Sequence, residues 1–374
     1  MIDKCDITVM NKIATPIQST REDEWPGLRT ALTAAGFGDR VLTPMADTGL
    51  AHDHIWLKAR RDDQADWVAR LPKQSQLDLD AKANLSYQAC CFERAAASGH
   101  TPSLGAVLPP EESLPRGGLV IAAVQGHAPR LPEDLTAIAH ALASLHRLPL
   151  PSPEERAPLL DPVSPWGDML EEVSHQAAFL PQAGLDDDTL GQLQKELAEL
   201  SAWVETQPTT AKALISFDAH PGNFLIDPQG RAILVDLEKC RYSLPGLDLA
   251  HASLYTSTTW DTRTYAELSV DEVHALYREW VKAIGNHREY LDPQGLLQCR
   301  RAMWLWSVTW CAKWRSKYRR RRDEGAGGED WSAELSDPAL IDHVRDRVDH
   351  YLSPQIVTRV RKEWHELARR DLLD

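Results

Sequence analysis

At 374 residues with a formal net charge of −14, the chain exceeds one typical domain and suits a small and a large lobe. The acidic balance excludes nucleic acid as the main partner, because neutralising phosphates needs surplus Lys and Arg. There is no run of eighteen apolar residues to span a membrane and no signal-peptide core, and the six cysteines lack C-x-x-C spacing, so we expect a cytoplasmic protein with free thiols and no membrane span.

In chain order, residues 1–20 read as an N-terminal extension. Leu42 to Ala59 reads as strand, turn, strand, with Thr48-Gly49-Leu50-Ala51-His52 at the turn. Asp66 to Pro72 alternates like a half-buried strand and carries Arg70. A helix follows from about Ala83 to Ser98, stopped by Gly99, and Glu93 is the acidic residue well inside it. Gly118 to Val124 is a continuous apolar run ended by Gln125-Gly126. Pro132-Glu133-Asp134 then opens a helix whose Leu135, Ile138, Ala139, Leu142 and Leu145 form one stripe. A proline-rich stretch from Pro149 to Pro165 leads to helices at about 165–179 and 186–205.

The segment from Ser216 to Glu238 concentrates polar chemistry between short apolar runs. Phe224-Leu225-Ile226, the turn Asp227-Pro228-Gln229-Gly230 and Ala232 to Val235 read as a hairpin, with polar loops before and after it. Asp218 and Asn223 fall on the first loop, and Asp236 and Glu238 leave the second strand. A lone Asp or Asn there would read as a turn or capping residue. Together, however, they offer a base and hard oxygen ligands, the parts needed to move a phosphoryl group from Mg-ATP to a hydroxyl.

Downstream the chain turns aromatic. Trp304, Trp306, Trp310 and Trp314 fall within eleven residues, with Tyr255, Trp260, Tyr277 and Trp280 upstream. Two readings stand open. The rings are core, or Trp260, Trp306 and Trp310 wall an acceptor site, where a Trp face attracts an ammonium by roughly 0.5–2 kcal/mol. Arg315 to Arg322 holds six Arg or Lys in eight residues ahead of the Gly325-Ala326-Gly327-Gly328 turn; it reads as a solvated helix end or as a contact for an anion.

The run SFDAHPGNFLIDPQGRAILVDLEKCRYSLPGLDLA resembles the catalytic core of the aminoglycoside phosphotransferase and choline kinase superfamily, whose pattern is H-G-D-x-H-x-x-N, a hairpin, an I-D-[WF]-[ED] motif and a downstream G-x-x-x-D-[LI]-A. The resemblance implies an α+β, two-lobed protein-kinase-like fold. Its small lobe, 21–124, would hold an antiparallel sheet and one helix, and its large lobe, 125–374, would be mostly helical and carry the catalytic hairpin. It further implies ATP and Mg²⁺ as cofactors and a small hydroxylated molecule as acceptor. Asp218 would be the base, Asn223, Asp236 and Glu238 metal ligands, His220 and Asp248 supports of the loop. Arg70 would grip phosphates with Glu93 orienting it, Gly49 would cover them, and backbone groups from Ala122 to Val124 would hold the nucleobase. Ser216-Phe217 departs from the family's His-Gly. An antibiotic, natural product or sugar-like acceptor, an amino alcohol such as choline, and an inactive nucleotide-binding relative all remain open at this point.

Overall fold

The computed structural model describes residues 25–45, 51–61, 63–207, 211–324, 338–370 and 372, the side chains of 319–324 excepted. The small lobe is built on a five-stranded antiparallel sheet of β1 (Val41–Pro44), β2 (His52–Lys58), β3 (Trp67–Pro72), β4 (Leu104–Leu108) and β5 (Gly118–Ala122), in the order β1-β2-β3-β5-β4. Strand alternation sends successive β3 side chains to opposite faces. Ala69 therefore packs with Ile55, Leu57 and Val120 under α1 (Pro26–Ala34), while Val68 joins Leu119 and Ile121 against Leu85 and Phe92 of α2 (Ala81–Ala95).

Helix α1 corrects the expectation of a single small-lobe helix. It is nine residues long with no side-chain N-cap, so its start signal is only Pro26, whose fixed φ suits a first helical turn. Helix α2 starts earlier than expected because Asp80 caps it, accepting from the Ala83 N–H at 2.8 Å. It tightens into a 3₁₀ turn at Ala96–Ser98 and stops at Gly99, φ +69°. Strand β5 ends at Ala122, short of the expected Val124. From there an extended segment enters the large lobe through a bridge between His127 and Ile226. Gly126 allows that close approach, since a Cβ there would lie 2.4 Å from the Ile226 carbonyl.

The large lobe comprises α3 (Leu135–His146), α4 (Pro165–Ala177), α5 (Asp187–Glu205), β6 (Ala213–Ile215), β7 (Phe224–Ile226), β8 (Ala232–Leu234), β9 (Arg241–Ser243), α6 (Pro245–Ser253), α7 (Tyr255–Thr258), α8 (Val270–Ile284), α9 (Pro293–Glu324), α10 (Pro338–Tyr351) and α11 (Pro354–Leu367). The 32-residue α9 is its spine, packed by α4, α5, α6 and α10 around the buried Trp304. Strands β7 and β8 form the expected hairpin, and β6 pairs antiparallel with β9 on either side of it in sequence. The loops 216–223 and 235–240 are therefore each anchored at both ends by a short ladder. Among the described residues, no helix is long and apolar enough to cross a membrane, and Cys90, Cys91, Cys240, Cys299 and Cys311 are free thiols.

Candidate active site

The first loop is braced from beneath by one buried carboxylate. Asp248, near the start of α6, accepts the Ser216 N–H on Oδ2 and the Phe217 N–H on Oδ1, both at 2.8 Å. His146 Nε2 also donates to Oδ2 at 3.1 Å, and its Nδ1 accepts from Trp280 Nε1 at 3.0 Å. Asp248, His146 and Trp280 are all fully buried, so the network has no access to water that could replace a lost partner. His146 is thus a structural residue of the α3 end.

The departure at Ser216-Phe217 has a clear local account. Phe217 adopts φ +61°, a left-handed conformation that costs a non-glycine residue about 1–3 kcal/mol. Its ring is 1 % exposed, lies 3.6 Å beneath the Arg241 guanidinium and meets Trp306 edge-on at 5.5 Å. Burying a Phe side chain is worth about 1.5–3 kcal/mol, enough to offset the strain. Ser216 Oγ accepts the Asp218 N–H at 3.2 Å, so the loop keeps its turn without the usual His-Gly pair.

Asp218 is half-buried, and its Oδ2 pairs with Lys239 Nζ at 2.7 Å. Burial alone would raise its carboxyl, but Lys239, together with His220 and His251, outweighs that and holds it below the ordinary carboxylate range. Lys239 shows the reciprocal effect: burial lowers it, Asp218 and Glu238 raise it, and the net shift is upward. Asp218 is therefore ionised and Lys239 charged. His251 Nδ1 lies 3.7 Å from Asp218 Oδ1 and has no hydrogen-bond partner among the described residues. Burial brings His251 down to about 4, so it is neutral near pH 7. His220 closes the following 3₁₀ turn by accepting the Gly222 N–H on Nδ1 at 3.1 Å, and Asn223 Nδ2 donates to the Asp218 carbonyl at 2.8 Å.

Asp236 leaves β8 and meets Arg70 from the other lobe, Oδ1 to Nη2 at 2.5 Å. Burial again works against its charge, but Arg70 and His52 dominate and hold it well below the usual range. Glu238, two residues on, turns away into the small lobe. Burial and the Asp236 charge push its carboxyl above the ordinary glutamate range. Arg70, His52, Gln88 and Glu238 form one buried cluster at the junction of the lobes.

Hard oxygen donors suit a divalent cation, and two of the three expected ligands fit. Asp236 is ionised with its carboxylate 30 % exposed, and the half-buried amide of Asn223 is tied down through Nδ2, so Oδ1 is the atom that could serve as a ligand. Glu238 does not fit as readily, because Gln76 and Gln88 of the small lobe already donate to its two oxygens. Glu93 is a correction. It is exposed, lying about 140° around α2 from Gln88, the residue that faces the Arg70 cluster. Of the nucleobase positions, the Ala122 N–H is taken by the Ser103 carbonyl, whereas the half-buried Val124 keeps its N–H without a partner among the described residues. Gly49, the N-terminal extension and the 325–328 turn lie outside the described residues.

The tryptophans divide. Trp304 and Trp314 are core, Trp280 serves the Asp248 network, and Trp306, Trp310 and Trp260 are half-buried. Trp306 alone of these reaches the base: Lys239 Nζ lies 5.6 Å over its ring, His251 meets it edge-on, and its Nε1 donates to Glu172 Oε1 at 2.7 Å. Trp260 and Trp310 pack edge-on to each other at 5.9 Å. In the basic run, Arg315 pairs with Asp349 of α10 at 2.7 Å. Lys239, His251 and His52 were given no role from the sequence, and Gln88 only stands where the helix of the resembled family usually has its acidic residue. Lys239 and His251 lie three residues beyond Asp236 and Asp248, and His52 ends the run Thr48-Gly49-Leu50-Ala51-His52.

The model of a family described as the phosphotransferase enzyme family matches residues 58–284, more than half of the chain. Solved structures share the architecture. A choline kinase from Cryptosporidium parvum Iowa II aligns with TM-score 0.53 and 12% identity over 89% of this chain and 92% of its own. The GDP complex of wild-type aminoglycoside 2'-phosphotransferase-IIIa gives 0.54 and 17% over 87% and 99%. A ternary complex of a thermostable aminoglycoside phosphotransferase APH(4)-Ia with AMP-PNP and hygromycin B gives 0.52 and 16% over 80% and 100%. These likenesses establish a shared two-lobed fold. No curated protein matches the chain.

Proposed function

The chain belongs to the phosphotransferase enzyme family, and from that premise we propose that it transfers the γ-phosphoryl group of ATP to a hydroxyl of a small molecule. The observation that carries this reading is the Asp218 carboxylate, ionised and oriented by Lys239 on a loop fixed by Asp248. Nucleotide would lie between a small lobe of 21–124 and a large lobe from 125 onward, its phosphates toward Arg70 and its base edge at Val124. Two fold relatives are solved with a nucleotide, GDP in one and AMP-PNP in the other, which supports a nucleotide as phosphoryl donor.

Asp218 Oδ1 and the unpartnered Nδ1 of His251 mark the place of the acceptor hydroxyl, within reach of both. There the hydroxyl oxygen forms a bond to the γ-phosphorus as the bond to ADP breaks, and its proton passes to Asp218 Oδ1, Oδ2 being held by Lys239. Mg²⁺, when bound with ATP, neutralises charge on the phosphates; Asn223 and Asp236 are the residues that would hold it.

The same geometry favours a sugar-like or natural-product hydroxyl over an amino alcohol. Lys239 already covers the Trp306 ring, so the aromatic face nearest the base is matched to the protein's own ammonium rather than to a ligand's. A catalytically dead relative is disfavoured, because the altered Ser216-Phe217 pair leaves the backbone bonds to Asp248 intact.

The test is ADP release with Mg-ATP across sugars, amino alcohols and antibiotics. The expected result is turnover with at least one hydroxylated acceptor, falling by roughly 10²–10⁴ in Asp218→Asn while ATP affinity stays close to wild type. A variant that keeps half the rate would remove Asp218 from the role.

A further inference from the structure

Arg70 is 1 % exposed at the junction of the lobes, and a guanidinium buried there needs anionic partners. Two carboxyl groups face it. Asp236 Oδ1 is 2.5 Å from Nη2 and Glu238 Oε2 is 4.0 Å from it. What surrounds them differs. Asp236 is 30 % exposed, whereas Glu238 is 5 % exposed and held by side chains of the small lobe.

Gln76 Nε2 donates to Glu238 Oε1 at 2.9 Å, and Gln88 Nε2 reaches Oε2 at 3.5 Å. Gln88 Oε1 accepts from His52 Nε2 at 3.1 Å. That bond requires the proton on Nε2, leaving Nδ1 with a lone pair to accept from Arg70 Nη2 at 3.2 Å. Helix α2 thus presents a neutral amide to the cluster, and its nearby acidic residue, Glu93, is exposed. If a cation engages Asp236, Glu238 is the one carboxyl group among the described residues that remains beside Arg70.

On the kinase reading above, we propose that Glu238 is the positioning residue of Arg70, supplying from the catalytic segment the carboxyl group that α2 lacks, and is not a second metal ligand. Its two oxygens point into the small lobe, and its contacts keep the guanidinium aimed at the site whatever Asp236 holds. Chemically, this makes Gln88 and Glu238 exchangeable: moving the carboxyl group to the helix and the amide to the segment preserves one carboxyl group and one amide around Arg70.

The test is calorimetric titration of the full-length protein with ATP, with and without Mg²⁺. Glu238→Gln is expected to raise the ATP Kd about tenfold in both conditions, while the Mg²⁺ concentration for half-maximal tightening stays put. The exchange variant Gln88→Glu/Glu238→Gln should return the Kd to within about threefold of wild type. Gln76→Ala alters only an exposed residue and should raise the Kd about two- to threefold, so the proposal stays open to refutation even if the core variants fail to fold. It is overturned if Glu238→Gln spares Mg-free binding and abolishes the tightening by Mg²⁺, if the exchange variant binds no better than the single one, or if Gln76→Ala changes nothing. Wild-type protein that bound no ATP would overturn the kinase reading as well, whereas normal wild-type binding with an unaltered Glu238→Gln overturns this inference alone.

Discussion

Asp218 and Asp236 each pair with one cationic side chain, but the structures that deliver the two cations differ. Lys239 comes from the loop next to that of Asp218, within one lobe, and the base loop is fixed by backbone bonds to a dry carboxylate, Asp248. Arg70 comes from the other lobe and reaches Asp236 by its side chain, with one longer bond from Nη1 to the Val235 carbonyl at 3.4 Å. Asp218 is therefore set by rigid local architecture. Asp236 is set by how the lobes meet, which on the proposed function would suit a group that adapts to nucleotide and metal.

The largest effect should come from breaking the rigid side. Asp248→Asn replaces an oxygen that accepts a buried N–H with an amide nitrogen, and should cost about 3–5 kcal/mol of stability, read as a large fall in melting temperature. A melt within a degree or two of wild type would mean that the loop is held by something else. A middle-sized effect sharpens the role of Lys239. Asp218 must be ionised to act and titrates below the ordinary range in its presence, so activity is lost as pH falls through that depressed value. Lys239→Met should move the acid limb of kcat/KM upward by about one pH unit. An unmoved limb would assign the depression to His220 and His251 instead. The smallest effect probes the wall beside the base. Trp306→Leu should raise the acceptor KM about three- to tenfold with a shift of a few degrees in melting temperature, because the ring is half-buried. Loss of folding with an unaltered KM would make Trp306 core, as Trp304 is.

The grouping of Asp218, Asn223 and Asp236 was legible because they sit in one short segment whose hairpin is written in turn residues. The Arg70 cluster was not, since His52, Gln88 and Glu238 come together from far-apart stretches of sequence. Glu93 shows how charge misleads when the helix face is ignored: the residue that matters on α2 is a neutral Gln88. The tryptophans show the limit of i, i+4 spacing. It puts Trp306, Trp310 and Trp314 on one face of α9, yet about 12 Å of axial rise separates the first from the last. One end meets the base and the other lies in the core. Helix α1 escaped because a nine-residue element opened by Pro26 offers almost no pattern to read.

The Arg70–Asp236 contact also has a kinetic side. It is an ion pair between side chains of the two lobes. On the proposed function, a nucleotide that took Arg70 would have to part that pair, and its apparent affinity would equal the intrinsic affinity reduced by the fraction of molecules in which the pair is open. Lobe motions run on microsecond to millisecond timescales, so opening would then limit how fast ATP is captured. Because Arg70 is buried while Asp236 is 30 % exposed, added salt should weaken the pair less than it would a fully exposed ion pair.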